Sequence, residues 1–175
     1  FGQSIFNGKL TLTNTSTGSI AVGNSATTKA TLNSDLEVNS DGGLIILGLI
    51  EQTLGTKLQV PTFTGGNLYF KNYIYKNTDS LIINGASNAR LTLVYCEMRA
   101  PFKVNVPSIV SNGGTFYENV FITKTGTNSE SCSGAMTFYK KAHFKTTGSG
   151  SWQINFSGPV CTYYDDLIIE STGTG

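Results

Sequence analysis

The apolar positions of this chain recur as a three-point motif: a bulky apolar residue, a second four residues later and a third six residues later. It reads Phe6, Leu10, Leu12, then Leu32, Leu36, Val38, then Tyr69, Tyr73, Tyr75. It continues as Met98, Phe102, Val104, then Phe116, Val120, Ile122, then Phe138, Ala142, Phe144, and closes with Tyr163, Leu167, Ile169. Both offsets are even, so on a strand whose side chains alternate faces all three members point the same way. A fixed period of about 26 residues is the sequence signature of a solenoid. The pattern therefore predicts an all-β chain, a right-handed parallel β-helix of about seven coils of roughly 26 residues.

Each motif strand is followed by a turn-rich stretch and a second apolar run. Ser40-Asp41-Gly42-Gly43 precedes Leu44–Leu47, and Thr147-Gly148-Ser149-Gly150 precedes Trp152 and Ile154. Gly supplies the positive φ of a sharp corner, and Asn or Asp tolerates it next best. The predicted unit is strand, corner, strand, loop. The positions between anchors (Thr11, Glu37, Thr123, Lys145, Glu170) are polar and should face water. Seven layers about 4.8 Å apart make a rod roughly 35 Å long. The spacing is uneven. The interval from Leu32 to Tyr69 is long enough to suggest an insertion over 48–66, and the motif at Met98 lacks a Gly corner. Two or three strands per coil both fit, and a long antiparallel sandwich is the competing architecture.

Composition supports strands. Thr, Ser, Asn and Gly make up 75 of 175 residues, and charged residues only 13%. That mix disfavours helix, and 11% aromatic content argues against disorder. A net charge of +1 with no Lys/Arg run excludes a nucleic-acid footprint. The longest apolar run, Leu44–Ile50, is too short to span a bilayer as a helix. The chain opens inside one motif unit and closes just after another, so 1–175 reads as a single solenoid domain belonging to a longer or processed polypeptide. Cys96, Cys132 and Cys161 lack metal-knuckle spacing and suit buried small apolar sites. Cys132 and Cys161 lie about one coil apart, which makes them a candidate disulfide if the protein is secreted.

The stretch Thr115-Phe116-Tyr117-Glu118-Asn119-Val120-Phe121-Ile122-Thr123-Lys124-Thr125-Gly126 resembles a repeat of large secreted surface proteins of Bacteroidetes. So do 137–150 and 162–175, and Phe6–Val22 is similar. The resemblance implies an adhesin-like segment, extracellular or on the bacterial surface, exported by the gliding-associated secretion system. Its partners would be flanking repeats of the same polypeptide, other surface proteins or glycans. It brings no catalytic residue. With that origin, Asp79-Ser80-Leu81 looks like an O-glycosylation acceptor at Ser80. Asn14-Thr15-Ser16 and Asn155-Phe156-Ser157 are formal N-glycosylation sequons that a bacterial source would make irrelevant.

Candidate chemistry is sparse, and no cofactor is expected. His143 lies on the outward parity, and no Gly-x-Ser-x-Gly elbow offers a nucleophile. Asp165-Asp166 suits a solvated corner, and a Ca²⁺ site there would need further oxygen ligands. A β-helix polysaccharide lyase or hydrolase would need clustered carboxylates and a basic residue. The nearest approach to that is Glu97, Arg99 and Lys103. An ice-binding Thr ladder begins at Thr11 and Thr13 but breaks at Glu37 and Asn39. Outward aromatics are more suggestive. Phe121 lies on the outward parity, and Tyr117, Tyr139 and Tyr164 each follow an anchor directly, so stacking would align them in a column. Such a column is either a structural stripe or a glycan-binding surface. The expectation is a non-catalytic rod or display stalk, with a carbohydrate-binding surface as the first alternative and the enzyme as the second.

Overall fold

A computed structural model describes residues 4–23, 27–154 and 159–173. Among these there is no helix, and every bonded strand pair is parallel. No described helix is therefore long and apolar enough to cross a membrane. The strands form one thirteen-stranded and one five-stranded sheet, wound as a β-solenoid of about 7 turns with ~22 residues per turn. The sandwich is excluded, because its strands would pair antiparallel.

One ladder runs through the whole stack. Phe6 pairs with Leu32, Leu32 with Gln52, Gln52 with Tyr75 and Tyr75 with Met98. Met98 pairs with Phe116, Phe116 with Phe138 and Phe138 with Tyr163. The least regular motif, at Met98, is thus a true rung, and its side chain is buried. From Phe102 onward the inner aromatics also stack. Ring centroids lie 5.9 Å apart for Phe102–Phe116, 5.0 Å for Phe116–Phe138 and 5.1 Å for Phe138–Tyr163.

The sequence period of about 26 residues is corrected to about 22, because the apolar pattern skips a coil. The stretch 48–66, read as an insertion, contributes Ile50–Gln52 and the start of Leu58–Lys71 to the stack. Its first anchor is Gln52, a polar residue that a hydrophobic pattern cannot register. Gln52 is fully buried, and its Oε1 accepts a hydrogen bond from the Tyr73 hydroxyl at 2.5 Å. Burial holds the Tyr73 phenol well above its usual pKa, so it stays protonated and remains a donor. Tyr75 therefore occupies the first motif slot rather than the third, and Tyr69 faces outward while Leu68 and Phe70 fill the core.

The parity slip has a backbone cause. From Arg90 to Thr146 each coil has one long bent strand (Arg90–Met98, Ser108–Phe116, Glu130–Phe138) and one short strand (Phe102–Val106, Val120–Lys124, Ala142–Thr146). The bend sits at a left-handed residue: Tyr95 (φ 51), then Gly113 (φ 72) and Gly134 (φ 81). Leu49 and Asn72 serve the same role in earlier coils, at φ 49 and 52. One residue in this conformation turns the chain, and at Leu49, Asn72 and Tyr95 it also reverses the alternation. The inward parity changes at the Leu49, Asn72 and Tyr95 corners (at Gly134 it is kept, since Cys132, Met136 and Phe138 all point inward): Ile45 and Leu47 point inward before Leu49, Ile50 and Gln52 after it. Leu91 and Leu93 likewise give way to Cys96 and Met98. At Gly113 a Cβ would lie 2.6 Å from the Tyr95 ring of the preceding coil, so a side chain there would have to displace that exposed ring as well as adopt a positive φ.

The core runs along the axis of the stack, and its covering changes at the end. Ala142 and Phe144 are buried beneath the following coil, whereas Leu167 and Ile169, in the same ladders one coil later, are 41% and 62% exposed. A coil can hide its apolar side only against a neighbour. Lys124 is a polar exception on the inner face of the five-stranded sheet. It is fully buried and donates to the Gly126 carbonyl at 3.0 Å.

Because Phe116 and Phe138 each fill the space between two coils, Phe116→Ala and Phe138→Ala should each destabilise the fold by about 3–5 kcal/mol. Denaturant titration of the two variants checks this, and unchanged midpoints in both would reject the stacked core.

Candidate functional site: an outward tyrosine column

Three consecutive coils carry the same triplet on the rim of the long strand: Thr115-Phe116-Tyr117, Thr137-Phe138-Tyr139 and Thr162-Tyr163-Tyr164. The middle residue points inward, so its two neighbours point outward. The ladder fixes their height. Thr115 pairs with Thr137 and Thr137 with Thr162. The tyrosine amides continue the register by donating to carbonyls of the coil before: Tyr117 to Met98, Tyr139 to Phe116 and Tyr164 to Phe138, each at 2.9 Å.

The structure brings the three predicted tyrosines together as a stacked column. Ring centroids are 5.1 Å apart in both pairs, with interplanar angles of 8° and 5°. Arg99 holds the matching position one coil earlier and places its guanidinium 5.4 Å from the Tyr117 ring centroid. The Arg99 Nε donates to Glu97 Oε1 at 2.6 Å, and this pairing raises the guanidinium pKa further. The chemical consequence is specific. Tyr117 and Tyr139 have both ring faces covered, by each other and by Arg99 or Tyr164. They offer water only ring edges and hydroxyls. Tyr164, 66% exposed, is the one member of this column with a ring face not covered by another described ring. The Thr row beside the tyrosines and the Arg99 cap were missed in the sequence. The repeated Thr-aromatic-Tyr triplet was the signal for the first.

The other candidates are dispersed. Glu97 and Arg99 pair with each other on the large sheet, whereas Lys103 belongs to the five-stranded sheet beyond the Pro101 corner. Asp165 and Asp166 are exposed in a turn in which Asp165 Oδ1 accepts the Asp166 amide at 2.8 Å. Among the described residues no group of three or more His, Cys, Asp or Glu is placed to hold a metal ion. His143 Nε2 stands 3.3 Å from Glu170 Oε2, and Lys145 Nζ stands 3.4 Å from the same oxygen. His143 first and Lys145 next hold the Glu170 carboxyl below its usual range. Ser80 is exposed in the loop before Leu81–Asn84, beside an open recess lined by Lys57, Pro61 and Asp79. Asn14 is buried, with its amide donating to the Gly18 carbonyl at 3.0 Å, and Asn155–Ser157 lies outside the described residues. The Thr11 column passes to Glu37 and then to Gln59, so no Thr ladder forms there.

The Cys132–Cys161 disulfide is corrected. No bond joins them, and they occupy different ladders. Cys132 pairs with Ser111 and Ile154 ahead of the Gly134 corner, whereas Cys161 lies just before the Thr137–Thr162 rung beyond it. Cys132 Sγ accepts the Trp152 indole N–H at 3.2 Å, and the Cys161 thiol donates to the Gly134 carbonyl at 3.5 Å. Burial pushes the Cys96 thiol up to about 12 and the Cys132 thiol above its usual range.

Comparison of the chain with protein-family models, curated proteins and solved structures gave no match.

Two outcomes follow from this geometry. Tyr139→Ala removes two ring contacts and should cost about 1–2 kcal/mol, whereas Tyr164→Ala removes one and should cost about half of that. Equal, negligible losses in denaturant melts would show that the column is not structural. Cys96 and Cys132 should resist iodoacetamide at mildly alkaline pH in the folded protein and react after unfolding, as read by mass spectrometry. Rapid alkylation of either in the native state would contradict their burial.

Proposed function

We propose that this chain is a stiff, non-catalytic segment of a secreted or cell-surface repeat polypeptide of the Bacteroidetes kind, serving as a rod that spaces or displays an adhesive region. The observation that carries this reading is the unbroken ladder from Phe6 to Tyr163, with apolar ladder positions left uncovered at Leu167 and Ile169. Parallel stacking in one direction resists bending and stretching, because lengthening the rod breaks whole rows of backbone hydrogen bonds together. The proposed partners are flanking repeats of the same polypeptide or other surface proteins. The proposed location is extracellular, and the mechanism needs neither cofactor nor nucleic acid.

A second reading, a carbohydrate-binding adhesive surface, is favoured by the parallel Thr and Tyr rows. Because most ring faces there are used in stacking, sugars would meet hydroxyls and ring edges, with face stacking confined to Tyr164. The lyase or hydrolase reading gains no support from the separation of Lys103 from Glu97 and Arg99.

Single-molecule pulling between the two ends of the intact chain tests the rod. The expected record is little extension at low force, followed by rupture of many coils together. Gradual lengthening at low force would reject a load-transmitting rod. Incubating the same protein with a polysaccharide panel, with and without Ca²⁺, should release no cleaved product, and cleavage would overturn the non-catalytic assignment.

A further inference from the structure

We propose that the outer face of the five-stranded sheet binds an acidic oligosaccharide, with the Phe121 ring as its floor and the Lys103 and Lys145 ammonium groups as its two carboxylate contacts. This site lies apart from the tyrosine column and does not depend on the rod reading.

The register builds it. Phe121 pairs with Lys103 on one side and His143 on the other, and Thr123 pairs with Lys145. All of these alternate with buried Val104, Ile122 and Phe144, so they point outward. They line a shallow recess of about 300 Å³. Phe121 is 38% exposed although it sits in an interior coil. His143 approaches it edge to face, with centroids 6.0 Å apart at 65°, and so leaves ring surface open toward solvent. An aromatic ring kept wet between two lysines is the surface that a sugar ring covers with its C–H face.

The charges select the kind of sugar. Lys103 makes no ion pair among the described residues. Lys145 faces Glu170 at 3.4 Å, and the same carboxylate faces His143, so Glu170 anchors the far cation. Lys103 is the open charge, and an anionic ligand enters from its side, away from Glu170. Lys103 and Lys145 are two strands and two residues apart, or roughly 12 Å along the sheet. A small anion can meet one of them but cannot also cover Phe121. A neutral sugar can cover the ring but leaves the Lys103 ammonium unmatched. A linear uronate oligomer has a carboxylate on every ring and an apolar C–H face, so it meets all three groups together.

Calorimetric titration of the intact chain with hexagalacturonate tests the proposal, with cellohexaose as the neutral control. Hexagalacturonate should bind at low salt and weaken as salt screens the lysines. Lys103→Gln and Phe121→Ala should each weaken binding about tenfold or more without lowering the melting temperature. The combined variant Tyr117→Ala, Tyr139→Ala, Tyr164→Ala should still bind. No binding of hexagalacturonate at low salt would overturn the site. So would equal binding of cellohexaose, unchanged binding by both recess variants, or loss of binding in a folded tyrosine variant alone.

Discussion

A single coil of this chain cannot hide its own apolar side, and the rest of the structure depends on that constraint. The inward side chains of each turn are covered from above and below by the same positions of its neighbours. Register is therefore enforced at every rung, since a shift by one residue would turn an inward row outward. The aromatic stack from Phe102 to Tyr163 shows this covering ring against ring. The coil after Met98 is short, with 18 residues from Met98 to Phe116, yet it keeps its rung. Its loops change, but the rung itself is fixed by Tyr75 on one side and Phe116 on the other.

The same constraint governs the polar groups that the stack encloses. Gln52 holds a position where its column otherwise places Leu, Tyr, Met or Phe; the Tyr73 hydroxyl donates to its Oε1, while its buried Nε2 has no partner among the described residues. The buried thiols serve as small apolar groups whose protons find carbonyls, as at Cys96 with Phe70 and Cys161 with Gly134. Lys124 reaches a carbonyl at the corner of its own coil. A buried polar side chain is tolerated where a neighbour supplies its partner, and stacking brings such partners within reach.

Stacking also decides what the outside can do. A residue type repeated at one motif position becomes a row with the spacing of the backbone ladder. In the tyrosine column this closes the ring faces against one another. On the five-stranded sheet the outward column changes from Lys103 to Phe121 to His143, and there a ring stays open. Repetition strengthens the rod, and departures from repetition create surfaces with distinct chemistry. The rod reading and the recess thus rest on different positions of the same coils.

The sequence by itself determined the class of fold. Even-spaced anchors, turn-rich corners and polar alternates specify strands with one buried face, and a repeat of such units has to stack. It also determined the alignment of Tyr117, Tyr139 and Tyr164, because each follows an anchor directly. The tertiary structure alone decided the length of each coil, since the rung at Gln52 is polar and the left-handed residues at Leu49, Asn72 and Tyr95 reverse the inward parity at their corners. Leucine and tyrosine give no local hint of that conformation; the ladder bonds on either side hold them in it. The separation of Cys132 from Cys161, the closing of the tyrosine faces and the open ring of Phe121 were likewise settled in three dimensions. Each depends on which face of which coil a side chain occupies, and neighbouring coils fix that.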